Sequence, residues 1–307
     1  MAKLYPNPLH VFGNYILSSR IHAIGVISLT SIVSFYMSSI MLALTVLRRG
    51  GKFGLHVIAG CMVFIVLVLS LLNKVPFTDV LIIILRTWVP VWCCAMVLRK
   101  TESQAAMTLM AGAFGTLFIV LMYLLIDDVP LWWQTWFNHF LDALVKSGVT
   151  TDATTRVDQL KSDLAQIAPV INPLIMSFLV IWVVTVILIG RWWQSRLFYP
   201  GAFRKEFYAL QLPRSLIYLA LLGITVLVLG NASKLLPVRD LLWLTIIMFL
   251  FQGLSSVHRL VQRKNYSSAW LVAMYSFLII LFPHMIVFIA CIGMADAWIR
   301  GRKTANS

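Results

Sequence analysis

Charge is what this chain has least of. Across 307 residues Asp and Glu together number 11, and charged residues of both signs make up 12%, against 60% hydrophobic residues and a mean hydropathy of +0.88. A folded surface in water needs far more polar cover, so a soluble globular protein is excluded. Cysteine is sparse as well. Cys61, Cys93, Cys94 and Cys291 all fall inside apolar stretches without C-x-x-C spacing, which removes zinc ribbons and dithiol redox centres and leaves them as small packing residues. There is no Walker-type phosphate loop, no H-E-x-x-H and no G-x-S-x-G. Gly50, Gly51, Gly54, Gly112 and Gly115 lack the strand-loop-helix context of a nucleotide site. No catalytic set, no metal site and no cofactor is expected.

What is present is a series of long apolar runs, at 21–47, 55–72, 77–98, 105–126, 170–190, 216–230, 241–261 and 269–298. A helix satisfies its own backbone in lipid and needs about 20 apolar residues to cross roughly 30 Å of hydrocarbon. None of the runs shows the alternation of a barrel strand. The expected fold is all-α: a polytopic helical membrane protein with about eight transmembrane segments in a single membrane domain over 1–307. The first run is longer than a signal-peptide core of roughly 7–15 residues and leads straight into Arg48 and Arg49, so it is expected to remain as an anchor.

The formal net charge of +14 would suggest nucleic acid in a soluble protein, but here the cations sit in short connections between runs, and no nucleic-acid partner is expected. Alternate connections collect Arg48, Arg49, Arg99, Lys100, Arg191, Arg196, Arg204, Lys205, Arg259 and Arg263 on one side. The other side holds Asp127, Asp128, Asp142, Asp158, Asp163 and Asp240. The positive-inside rule makes the first side cytoplasmic and the location the inner (plasma) membrane. Simple crossings would then leave both termini outside, with Arg20 at one end and Arg300, Arg302 and Lys303 at the other. The first run is serine-rich in its middle, at Ser28, Ser31, Ser34, Ser38 and Ser39, and the last contains Pro283. Each is long for one span and short for two, so both are expected to be kinked or re-entrant.

Two excursions leave the apolar pattern. Residues 127–168 read as an external amphipathic helical insertion. Trp133, Phe137, Phe140, Leu141 and Leu144 share one face, with Trp132 and Trp136 beside them at headgroup depth. After a turn at Ser147 and Gly148 and a cap near Thr151 or Asp152, Val157, Leu160, Leu164 and Ile167 share a second face. The insertion is either a lid or a hairpin lying on the membrane. Residues 191–214 read as a cytoplasmic loop that mixes Arg191, Arg196, Arg204 and Lys205 with seven aromatics around Tyr199-Pro200-Gly201. This chemistry suits an anionic leaflet or a cytoplasmic protein partner.

The stretch Tyr199-Pro200-Gly201-Ala202-Phe203 followed by Glu206-Phe207, the late Phe251-Gln252-Gly253-Leu254, and Gly293 and Asp296 ahead of Arg300 together resemble the YybS-like family of bacterial multi-pass membrane proteins, defined as a domain of unknown function. The resemblance runs from Arg48-Arg49-Gly50 to Arg302. It implies an architecture and no activity. A looser similarity in span pattern links the chain to substrate-binding membrane subunits of vitamin importers.

Polar residues inside the runs are the best pointers to function, because each costs about 2.5–3.5 kcal/mol on insertion scales. Arg86 lies mid-run with Pro90 one turn on, and it either binds an anionic solute or pairs with a buried acid such as Asp296. Gln252 and Gly253 lie mid-helix with His258 about two turns further; they line a path or serve as interhelical glue. His284 follows Pro283, where a broken helix frees backbone groups. Asp296 stands four residues before Arg300. One reading is a carrier or substrate-binding membrane subunit for a small or amphiphilic solute, lined by Arg86, Gln252 and His284 and driven by an ion gradient or separate energy-coupling subunits. A second is a scaffold or assembly factor that holds a cytoplasmic partner or lipid through 191–214, and a third is a lipid-modifying enzyme. If both long runs double back, a reporter fused after Ser307 is active only when placed for the cytoplasmic side; activity confined to the outside contradicts the re-entrant reading.

Overall fold

A computed structural model describes residues 8–71, 77–146, 154–230 and 235–305. Every regular element among them is a helix, and each apolar run has one or two. Five helices are long and apolar enough to cross a membrane, or up to six if a bent pair counts as one span. The helices over 216–230 and the first half of 269–298 are shorter. These are α10 (Ser215–Leu229) at 15 residues and α12 (Ala269–Ile280) at 12, roughly 22 and 18 Å at 1.5 Å per residue.

The chain gathers into two compact units. Met1–Ala111, Ile181–Leu212 and Leu254–Ser276 form the first; Gly112–Val180, Pro213–Gly253 and Phe277–Ser307 form the second.

In the first unit the initial run is broken, as expected, but it is also preceded by a further helix. After α1 (Pro8–Ser18) the chain turns by 116° into α2 (Arg20–Val33). Ser19 caps that turn, accepting the His22 amide at 3.2 Å. Ser34 then ends α2, its N–H returning to Thr30, and starts α3 (Phe35–Arg49) by accepting the Met37 amide on its side chain. Every residue of α3 from Ser38 to Leu47 is buried, because it packs against α1, α2, α4 (Gly51–Leu71) and α5 (Phe77–Thr101). The serines can be buried because they are satisfied locally. Ser38 and Ser39 donate to Phe35 and Thr45 donates to Leu42, at 2.7–3.0 Å.

Both excursions differ from their sequence readings. The helix that starts at Thr154 does not stop before the next span: α8 (Thr154–Phe198) runs unbroken for 45 residues and absorbs both the second amphipathic pattern and the start of the 191–214 segment. The rest of that segment holds α9 (Ala202–Tyr208), so little of it is loop. The turn at Ser147 and Gly148 and the cap near Thr151 or Asp152 lie outside the described residues.

In the second unit, the end of α6 (Gln104–Leu125) and α7 (Val129–Lys146) pack on α8. Met122, Val129, Trp133 and Ile171 form the cluster that seats α7, while Trp136 and Phe140 stack on its exposed side at 5.7 Å. Lys161 reaches Asp142 at 2.7 Å and its hydrogen bond holds that carboxyl below the usual range. Elsewhere in the unit α11 (Leu236–Arg263) and α13 (His284–Ala305) make a close crossing. A Cβ on Gly253 would collide with the Ile289 carbonyl oxygen, and one on Gly293 with the Phe249 carbonyl oxygen. Small residues at such a crossing let backbones touch where lipid offers no hydrophobic drive. Gly253→Ala and Gly293→Ala should each lower the thermal midpoint in detergent, by an overpacking cost of about 1–3 kcal/mol. Gly25→Ala, with nothing within 4 Å, should leave it unchanged or raise it.

Candidate functional site

Helix ends expose carbonyls that have lost their intrahelical donors, and at three of them an arginine supplies the donor. Where α1 turns, Arg49 donates Nε to the Leu17 carbonyl at 2.8 Å and Nη2 to that of Ser18 at 3.3 Å. Where α3 ends, Arg99 reaches Val46 and Leu47 at 3.3 and 3.1 Å. Where α9 ends, Arg259 reaches Tyr208 at 2.8 Å. These side chains also match the negative ends of helix dipoles.

Two arginines in the same unit do something else. Arg191 makes a two-pronged pair with Glu206, Nε to Oε2 at 2.9 Å and Nη2 to Oε1, and a third bond to Gln194 at 2.5 Å, so its charge is matched. Arg48 lies 4.0 Å over the Phe198 ring and donates to the Tyr199 hydroxyl at 3.0 Å. No carboxylate pairs with it among the described residues. Arg48 lines two cavities. One, of about 500 Å³, also has Arg99, Glu102, Arg191, Tyr199 and Glu206 on its wall; the other, of about 430 Å³, has Leu17, Ser18, Arg49 and Phe198. The 48–49, 99–100 and 191–214 segments, which the charge pattern assigns to one side, thus meet in one cup. Its walls carry four arginines and two glutamates.

The other sequence candidates are placed differently. Arg86 is exposed on α5; Pro90 lacks the N–H that would bond its carbonyl. Gln252 is fully buried and donates Nε2 to Asp296 Oδ2 at 3.0 Å, and Arg300 holds the same carboxylate at 2.9–3.0 Å. Beside Gly253 this is the geometry of interhelical glue. His258 is half-buried, with ring edges to Phe207 at 5.5 Å and Tyr275 at 5.8 Å and Nδ1 on the Leu254 carbonyl. His284 is exposed after the 281–283 turn. Arg86, Gln252 and His284 line neither cavity of the cup. Of the loop cations, Arg191 lines the cup, while Arg196, Arg204 and Lys205 are exposed.

Sequence reasoning missed a polar network in the second unit. Asp240, counted above as an external charge, is 0% exposed. Its Oδ2 accepts from the Tyr123 hydroxyl and the Asn172 amide, each at 2.8 Å, and its Oδ1 accepts Arg239 Nη2 at 3.0 Å. Arg239 also donates to the Pro169 carbonyl. That carbonyl is open because its helical donor would be residue 173, and Pro173 has no N–H. The signal was present in the sequence as Pro169 and Pro173 four apart, with Arg239-Asp240 adjacent, but nothing there joined the two. Beside the network lies a cavity of about 480 Å³ lined by Tyr123, Asp127, Asp128 and Arg239.

The family model described as Predicted membrane protein (DUF2232) matches residues 16–297. No curated protein and no solved structure matches the chain.

Asp240→Leu leaves Tyr123, Asn172 and Arg239 without their shared acceptor, and should destabilise the protein by about 3–5 kcal/mol in thermal or denaturant unfolding. Asp127→Asn, at an exposed position, should change little.

Proposed function

The chain belongs to the DUF2232 family of membrane proteins, and from that premise we propose that it is a membrane-embedded binding protein for a phosphate-bearing amphiphile, taken at the Arg48 cup. We place it in the inner membrane with the cup on the cytoplasmic side, following the basic connections. This narrows the reading of a substrate-binding membrane subunit to one site and one ligand chemistry.

One observation carries the reading. Arg48 sits on the wall of both cavities and is held by a hydroxyl and a ring face, not by an acid. A guanidinium fixed in direction but unmatched in charge suits a phosphate, whose oxygens match its fork of donors. The half-buried Phe198 ring on the second wall gives the apolar part of an amphiphile a surface. Cavities of this size fall within the roughly 300–1,000 Å³ of small-molecule sites. The exposed Arg196, Arg204 and Lys205 add attraction toward an anionic surface, of about 1 kcal/mol per basic residue near it.

Native mass spectrometry of the gently extracted protein tests this. The wild type should retain one phosphate-bearing adduct, and Arg48→Gln should lower that retention about tenfold, as expected for loss of a hydrogen bond to a charged group. Displacement by excess glycerol phosphate assigns a soluble source; displacement only by detergent exchange assigns a lipid. Equal retention in Arg48→Gln overturns the assignment.

A further inference from the structure

The cup holds a second charged group that no direct contact with an opposite charge engages among the described residues. Glu102 lines the same cavity of about 500 Å³ as Arg48; it is exposed, its charge reaches Arg191 at longer range, and its carboxylate has neither an ion pair nor a hydrogen bond among the described residues. The other acid on that wall, Glu206, is engaged at both oxygens by Arg191. With that pair matched and Arg99 turned onto the carbonyls of Val46 and Leu47, the uncommitted charges are one guanidinium and one carboxylate.

Glu102 also stands where a glutamate is out of place. It is the residue just past α5, its N–H returns to the Leu98 carbonyl at 2.8 Å, and its φ is +53°. A helix that ends this way ordinarily places glycine there, because a Cβ is strained in the left-handed region. Of the other described residues with positive φ, Gly50 and Gly201 follow that rule and Asn265 is of the type that tolerates it best. Strain of this kind that persists beside a cavity points to a use for the side chain.

We infer that Glu102 receives the ammonium group of the same ligand whose phosphate lies on Arg48, so that the ligand is a zwitterionic phosphate ester with a primary amine, an ethanolamine-type headgroup. This rests on the Arg48 reading. A carboxylate left facing a bound phosphate repels it. An ammonium on the ligand turns that repulsion into charge-assisted hydrogen bonds, with three N–H donors for two carboxylate oxygens. A glycerol-type headgroup brings no cation, and a choline-type headgroup brings a cation without N–H donors.

The test is competition among phosphatidylethanolamine, phosphatidylglycerol and phosphatidylcholine of identical acyl chains for the delipidated full-length protein, read by native mass spectrometry. The wild type should prefer the ethanolamine lipid about tenfold over either other, the scale of one charge-assisted contact. Glu102→Gln should bring the three within about twofold. Glu102→Gly should do the same while raising the thermal midpoint, because it removes strain together with the charge. Displacement by free phosphoethanolamine would assign a soluble ester, and persistence against it a lipid. If Arg48→Gln weakens all three lipids but the wild type shows no preference among them, the Glu102 assignment falls and the Arg48 reading stands. If Arg48→Gln weakens none, both fall.

Discussion

A carbonyl that loses its helical donor inside a lipid-spanning chain has no water to turn to, and this constraint organises the structure. The helices here are interrupted at Ser19, at Ser34 and after Arg49, and Pro173 removes one donor within the continuous α8; each leaves carbonyls that must be satisfied. At several of these positions the donor is an arginine. Arg49, Arg99 and Arg259 close helix ends in the first unit, and Arg239 closes the carbonyl opened by Pro173 in the second. Several basic residues that set topology are therefore also structural caps. Their hydrogen-bond donors are used locally, on backbone carbonyls, while Arg196, Arg204 and Lys205 stay exposed.

That distinction selects the candidate site. Arginine count would spread interest over every basic connection, whereas the geometry separates arginines held by backbone from those that face a cavity. Arg191 is matched by Glu206, and Arg48 is steered by Phe198 and Tyr199 without being matched. Two aromatic residues of the 191–214 segment thus hold a cation at the wall of the cup. The buried Asp240 network works the opposite way, with every oxygen partnered, and reads as an anchor for α6, α8 and α11.

Much of the fold was legible in the sequence because its signals are local. Hydropathy marked each helical run, the serines and Pro283 marked the breaks in the first and last, and alternate charge grouped the segments that meet at the cup. What escaped depended on contacts across the chain. The amphipathic pattern after 154 looked like a separate helix because its apolar face changes character near Ala168, yet the backbone continues to Phe198. Asp240 looked like a loop charge because nothing in its neighbourhood names Tyr123 or Asn172. Arg86, singled out as a cation mid-run, is exposed on α5 and lines neither cavity of the cup. The strain at Glu102 is a backbone property with no sequence mark at all.

Where a phosphate sits on this protein decides between a binding site and a set of helix caps. A cryo-electron microscopy map of the protein in a nanodisc of its native lipids, enlarged by a bound antibody fragment, reads this directly. Phosphate density should lie within hydrogen-bond reach of the Arg48 guanidinium, with Arg49 and Arg99 still on their helix-end carbonyls. An Arg48 paired with a carboxylate of this chain, with phosphate instead on Arg49 or Arg99, would contradict the assignment.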